Sequence, residues 1–357
     1  MADGPTRRLL ASAPSRWKTL LKRPYRMAVR VRAITRFGLA SLFTPSTNMA
    51  REAAAVAAGR DRFRKTFGAT GSTNYTLRRN THRIEKGIVS RPRRAVFATG
   101  YIEETVEHYA RELRDHAGEV ESGSELAWAR DVLAEYFSIV GSNAEIDRAR
   151  ARFGEEEESH SLSEPPLVPY RRDLGTSPPV SYEAMKALAV RRRSVRWFEN
   201  RPVPRDLIDA AVEIAGQSPS ACNRQPFTFY VYDSPDDVQR IAAIPGGTVG
   251  FAHNFPVIVA VVGSLDAFFS DRDRHLIYID GALAAMSFML ALETLGLSSC
   301  AINTPGEESF EDEAAAELGL APYERPVMFI ALGYPDATGM VPRSQKKALE
   351  NLRRYNP

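Results

Sequence analysis

Residues 191–227, RRRSVRWFENRPVPRDLIDAAVEIAGQSPSACNRQPF, constrain the fold of this chain more than any other stretch. A helix-like run over residues 182–190 ends there in a knot of cations, Arg191, Arg192, Arg193 and Arg196, around Ser194. A short amphipathic helix follows. A loop of small and amide residues, 218–226, then feeds an aromatic and β-branched strand at 227–232. That order leaves two donor-rich clusters one helix apart, able to converge on one anionic, polyol-bearing ligand. Arginine suits phosphate because its planar fork donates paired hydrogen bonds and keeps its charge. The same arginines also serve as a cationic helix end that satisfies its own carbonyls and dipole. Charge spacing alone leaves both readings open.

At 357 residues the chain has material for about two domains and an ample core. Apolar residues at 44% and charged residues at 25% describe an ordinary globular protein. The two cysteines, Cys222 and Cys300, stand far apart, so no disulfide framework follows and a reducing cytoplasm is the simpler compartment. The commoner fate of a free cysteine is that of a small buried hydrophobe. No segment reaches 18 uninterrupted apolar residues, so no transmembrane helix is expected, and the N-terminus lacks the apolar core and cleavage site of a secretory signal.

The formal charge of +3 hides an uneven distribution. Residues 1–50 carry Arg7, Arg8, Arg16, Lys18, Lys22, Arg23, Arg26, Arg30, Arg32 and Arg36 against Asp3 as the only acid, interleaved with Trp17, Tyr25 and Phe37. A basic amphipathic arm of this kind suits an anionic membrane surface, at the inner face for a cytoplasmic protein. An arm packed on the body or on a partner subunit, or a targeting segment, has the same composition. Nucleic acid is not expected as a partner, because no binding fold accompanies the charge.

Residues 51–153 read as a helical extension. One helix-like piece ends near residue 87, with Gly87 placed as the first residue beyond it; residues 101–117 and 124–140 space their apolar side chains as buried helix faces do. His82, Glu85 and Lys86 form either a local ion-pair network at a helix end or a group reaching a substrate. Residues 154–181 combine acids at 155–158 with Pro165, Pro166, Pro169, Pro178 and Pro179, a linker composition that sets a boundary before residues 182–357. In that last part, residues 256–262 and 326–333 read as strands and 278–297 as a long helix rich in small residues. Residues 246–250 (GGTVG) lack the lysine and spacing of a phosphate loop. Asp271, Asp273 and His275 look like a loop rather than a metal site, and there is no convincing serine-histidine-acid set.

Four motifs follow in order: RRSVRWF (192–198), SPSACNRQPF (218–227), YIDGALAAMSFMLALETLGLSSC (278–300) and FIALGYP (329–335). With these motifs the chain, from about residue 182 onward, resembles the FMN-dependent nitroreductases. The resemblance implies an α+β fold, a nitroreductase-like sheet flanked by helices, here preceded by a mostly helical region. It implies a homodimer built on the long helix, with FMN at the subunit interface. By resemblance, Arg192, Arg193 and Ser194, with Arg343, Lys346 and Lys347 from the tail, serve the phosphate and ribityl chain. Arg196 approaches the N1/O2 edge, where a cation stabilises negative charge on the reduced ring. Ser218, Pro219 and Ser220 line the flavin. Asn223 and Gln225 hold the loop or meet ring heteroatoms, and Asn303 and Thr304 lie in the segment (AINTPG, 301–306) that passes near N5.

No protein group is then needed as a catalyst, since the cofactor carries the chemistry. The implied activity is ping-pong oxidoreduction: NADH or NADPH as transient reductant, then a small or sugar-linked acceptor. HRIEKG (82–87) resembles a feature of the helical extension in a nitroreductase subgroup associated with bacterial surface-polysaccharide gene clusters. Phe227 stands where many relatives carry Trp, and the extension is absent from minimal nitroreductases, which puts a broad nitroaromatic activity in doubt. Two alternatives remain: a catalytically idle scaffold of a membrane-surface polysaccharide assembly complex, and an oxygen-linked flavin dehydrogenase. Arg192, Ser194, Arg196 and Ser218 together argue against the idle scaffold.

Overall fold

The computed structural model describes residues 47–70, 73–157, 162–304 and 308–356. The chain divides into two units, residues 1–53 and 54–357. Of the first, only the start of helix α1 (Thr47–Thr66) is described, and the basic arm expected over residues 1–50 lies, to residue 46, outside the described residues.

The second unit holds a two-stranded sheet of β1 (Ala69–Thr70) and β2 (Thr73–Asn74), and is built on a four-stranded antiparallel sheet of β3 (Phe227–Tyr232), β4 (Val257–Ser264), β5 (Ser298–Ile302) and β6 (Glu324–Gly333), in the order β3-β4-β6-β5. β4, VIVAVVGS, is buried along nearly its whole length because both faces of the sheet are covered. Ile258, Ala260 and Val262 pack with α8 (Pro235–Ala243) and α10 (Glu308–Leu318) on one face. Val257, Val259 and Val261 pack with α7 (Arg205–Gly216) and α9 (Leu276–Thr294) on the other. Where β4 meets β6 the register slips between Val261 and Val262, so Val327 has no partner in the ladder. Val327 fits there because Gly263 and Gly281 carry no side chain: a Cβ on either would come within 3.2 Å of its Cγ2.

Taken with its lead-in turn, Asp271–Thr294 is long and apolar enough to cross a membrane. Half of that segment is buried, as Ala284, Ala285, Phe288 and Leu292 pack against the sheet, which is the behaviour of a core helix.

The helices α2 (Tyr75–Ile88), α3 (Ile102–Asp115), α4 (Glu125–Ile139) and α5 (Ala144–Glu157) make up the extension. They enclose a core of their own around Leu77, Ile84, Val106, Tyr109, Leu133, Tyr136 and Ile146. The helix starts follow capping chemistry, with the side chains of Asn74 and Ser124 accepting from the amides of Leu77 and Ala127. Gly87 does not stop α2 as expected; the helix runs on to Ile88 with Val89 as its cap. Its real role is packing, since a Cβ there would run into the Phe97 ring.

The proline-rich segment also differs from its composition. α5 carries Gly154, Glu155 and Glu156 within it, so the irregular stretch begins later than residue 154. Its later part is anchored to α4. Asp131, fully buried, accepts from the amides of Ser163 and Leu167 and from Arg130. A pair of acceptors at the right depth overrides what Pro and Glu suggest about mobility.

Candidate functional site

Helix α6 (Tyr182–Arg191) is capped by Ser181 and ends on the cations. Arg191 lies 3.3 Å from the buried carboxylate of Glu293, which ties the end of α6 to the end of α9. The next residues run along the edge strand β5: Ser194 bridges Ser299 in parallel, and the Val195 amide donates to the Ser299 carbonyl at 3.0 Å. Three residues after Val195, Phe198 bridges Pro335 beyond β6. RRSVRWF is thus held by backbone and by the buried Phe198 ring, which leaves its polar side chains free for other work.

Those side chains are weakly engaged. Arg193 Nη1 donates to the Arg192 carbonyl at 3.2 Å, and Arg196 Nη1 donates to the Ser194 carbonyl at 3.4 Å, with its guanidinium 5.6 Å from the Phe251 ring centre. Among the described residues, Arg192 Nε and the Ser299 hydroxyl are buried with no hydrogen-bond partner. A buried donor left unpaired costs about 1–3 kcal/mol, so two on adjoining backbone mark a place that needs an acceptor. Beside them, burial pushes the Cys300 thiol above its ordinary pKa, opposed by the charges of Arg196 and Arg192 and by the Ser194 hydroxyl.

The second cluster is different. The Ser218 hydroxyl is 2.8 Å from the Ser287 hydroxyl on α9, and Asp280 on the same helix accepts from the Ala221 amide at 2.9 Å. Ser220 Oγ accepts from the Gln225 amide at 3.0 Å, and Gln225 Nε2 donates to the Gly216 carbonyl at 2.8 Å. Cys222, Asn223 and Gln225 have φ of 53°, 52° and 50°, a left-handed conformation in a loop without glycine. Arg78, from α2, closes the assembly: Nε donates to the Asn223 carbonyl at 2.9 Å, Nη2 to Gln225 Oε1 at 3.0 Å and Nη1 to Glu125 at 2.8 Å. Asn223 and Gln225 therefore hold the loop. Pro219 projects outward on the exposed side.

Among the described residues no hydrogen bond joins residues 192–196 to residues 218–225: one cluster lies on β5, the other on α9 and α2. Asn303 is exposed just past β5, Thr304 Oγ1 donates to the Val327 carbonyl at 3.4 Å, and residues 305 and 306 lie outside the described residues. Arg343, Lys346 and Lys347 sit on an exposed tail, where Arg343 Nε meets Gln345.

His82 lies 3.4 Å from Glu85, which also accepts from Trp128 Nε1, so this part of HRIEKG is a local network. Both cysteines are free thiols, and no group of three or more His, Cys, Asp or Glu among the described residues is placed to hold a metal ion. Arg78, Asp280 and Ser299 were not legible as site residues. Arg78 lies 145 residues from the carbonyl it holds, and no local pattern encodes such a pairing.

The nitroreductase family matches residues 189–249 and 238–334. Iodotyrosine deiodinase 1 of Pongo abelii is 25% identical over 190 residues, 45% of this chain and 65% of its own length. The iodotyrosine deiodinase of Haliscomenobacter hydrossis is 27% identical over 184 residues, 44% of this chain and 81% of its own. The chain thus spans just under two thirds of the first of these relatives. Among solved structures, an FMN-dependent nitroreductase from Clostridium difficile R20291 aligns with a TM-score of 0.42 at 19% identity, over 48% of this chain and 99% of that one. NfrA1 of B. megaterium aligns at 0.44 and 19%, over 48% and 74%.

Proposed function

We propose that this chain, which carries a nitroreductase-family domain over residues 189–334, is an FMN-dependent oxidoreductase reduced by NADH or NADPH. The observation that carries this reading is the pair of buried donors with no acceptor among the described residues, Arg192 Nε and Ser299 Oγ, beside Ser194 and Arg196. Such a set fits a phosphorylated polyol, because a charged fork and hydroxyls answer phosphate and ribityl oxygens. Bound there, FMN supplies the two-electron chemistry that links the nicotinamide to the acceptor.

The protein's own residues then do the positioning. Arg192 and Ser194 hold the phosphate end, and Arg196 offers a positive charge to the ring edge where negative charge accumulates. The 218–225 loop contributes a rigid wall, with Asn303 and Thr304 opposite. The two clusters meet across a homodimer interface in this reading. Ile279, Leu283 and Met286, exposed at three- and four-residue spacing on α9, supply its apolar face. Arg343, Lys346 and Lys347 reach the phosphate from the tail of one subunit or the other.

The acceptor is a small or sugar-linked molecule, and HRIEKG points to surface-polysaccharide synthesis as the setting. The names of the curated relatives favour a second reading, in which the acceptor is a halogenated aromatic. An absorbance spectrum of the protein as isolated, followed by anaerobic addition of NADH or NADPH, tests the core of the proposal. A yellow protein bleached by a nicotinamide is expected. A colourless protein that takes up no added FMN ends it and leaves the scaffold reading. Reoxidation with sugar-linked acceptors, iodotyrosine and oxygen in parallel, with iodide release measured, separates the acceptor classes.

A further inference from the structure

The helical extension reaches into the loop that shapes the candidate site. Arg78 has its Nε, Nη1 and Nη2 nitrogens all engaged, on the Asn223 carbonyl, Glu125 and Gln225 Oε1. Its side chain is only 14% exposed, and its guanidinium lies 5.8 Å from the Trp128 ring centre. α2 fixes its backbone, and α4 supplies the Glu125 counter-charge. The loop it grips needs holding. Three of the four residues from 222 to 225 sit in the left-handed region with no glycine among them, and such residues persist only where their surroundings over-determine them. Asp280 fixes the front of this loop through the Ala221 amide, but among the described residues only Arg78 reaches the Asn223 carbonyl, within the strained run.

We propose that Arg78 is a positioning residue: by clamping Asn223 and Gln225 it makes the extension a structural part of the ligand site rather than an appended domain. A guanidinium suits this role because one planar group can satisfy a backbone carbonyl, a side-chain amide and a carboxylate at fixed angles. A lysine in its place keeps the charge beside Glu125 and loses the fork. The consequence for FMN rests on the proposed function; the clamp itself does not.

The test is amide hydrogen exchange on the full chain, wild type against Arg78→Ala and Arg78→Lys, with FMN titrated into each. In both variants, exchange over residues 218–226 is expected to rise about tenfold or more, with β3 and β4 unchanged. FMN is expected to bind about tenfold more weakly, with an altered visible circular dichroism of the bound flavin. Methylguanidine added to Arg78→Ala should restore slow loop exchange, which a general loss of stability would not allow. Wild-type loop exchange in a folded variant overturns the clamp. So does failure of Arg78→Lys to fold, since that would make Arg78 a support of the whole fold. Faster loop exchange with unchanged FMN affinity cuts the link to the ligand site. A wild-type chain that takes up no FMN defeats the proposed function, while the exchange comparison still decides the clamp.

Discussion

Residues 192–196 and 218–225 are both polar, both follow the end of a helix, and both read as donor clusters, yet the fold treats them in opposite ways. The first is held by its backbone along β5, and its side chains are left with weak partners or none. In the second, the Ser218 hydroxyl, the Gln225 side-chain amide and the Asn223 carbonyl are committed to α9, to α7 and to Arg78, while Arg224 Nε is buried without a hydrogen-bond partner among the described residues. The difference teaches that donor content does not identify the ligand-facing group. Unpaired donors can still be offered, whereas paired ones have become scaffold. Binding energy is therefore expected from the first cluster, and shape from the second.

The sharpest way to break that contrast is Arg192→Ala. A charge-assisted bond to phosphate is worth about 1.5–3 kcal/mol, so FMN affinity should fall by about 10- to 100-fold with little change in apoprotein melting. Unchanged flavin occupancy in a titration would falsify the assignment of residue 192. Asp280→Ala should show the reverse pattern, a loss of about 1–3 kcal/mol in denaturant unfolding from the stranded Ala221 amide, with Asp280→Asn milder because its carbonyl still accepts.

That second pair also carries a pH signature. Burial pushes the Asp280 carboxyl above its ordinary 3.8, against the pull of the Ala221 amide and Arg224. The folded chain keeps this proton to higher pH than the unfolded chain does. Asp280's contribution to stability thus falls as pH rises from 3.8 to the raised folded value, then levels off. Asp280→Asn should remove this part of the acid-range slope in melts across pH; an identical slope in the variant would show that another group carries it.

Ser218→Ala sharpens the comparison further. Loss of the Ser287 contact should cost about 1 kcal/mol in unfolding while FMN affinity moves less than it does for Ser194→Ala. Equal losses of affinity would erase the distinction between the clusters. The smallest effect on stability belongs to the joint substitution of Arg343, Lys346 and Lys347 by alanine. These side chains are solvated, so the melting curve should be unchanged. Any weakening of FMN uptake should shrink as salt rises, and no weakening at any ionic strength would remove the tail from the site.

Much of the architecture was legible from local pattern. β3 begins and ends at the residues its β-branched and aromatic run marks, and β4 and β6 fall within two residues of their expected bounds. α3 and α4 follow their apolar periodicity because a buried stripe is written every three or four residues, and α9 follows its long run of apolar and small residues. Local pattern is silent where a distant partner decides. Gly87 has the composition of a helix stop, but its lack of a side chain serves Phe97. The segment after α5 has the composition of a linker, but Asp131 binds its backbone.

The amino-acid order by itself marked three of the four strands of the sheet, β3, β4 and β6, the helical extension and the long helix α9, and which two stretches are rich in donors, because all depend on neighbours a few residues away; β5 was not marked. Which donors remain available was decided only by the tertiary structure. Arg78, Asp280 and Ser287 each reach the 218–225 loop from more than fifty residues away and bond to it, whereas none of the described residues offers an acceptor to Arg192 Nε or Ser299 Oγ. Hydrogen-bond satisfaction is a property of what folds alongside a group, and no reading of one stretch contains it.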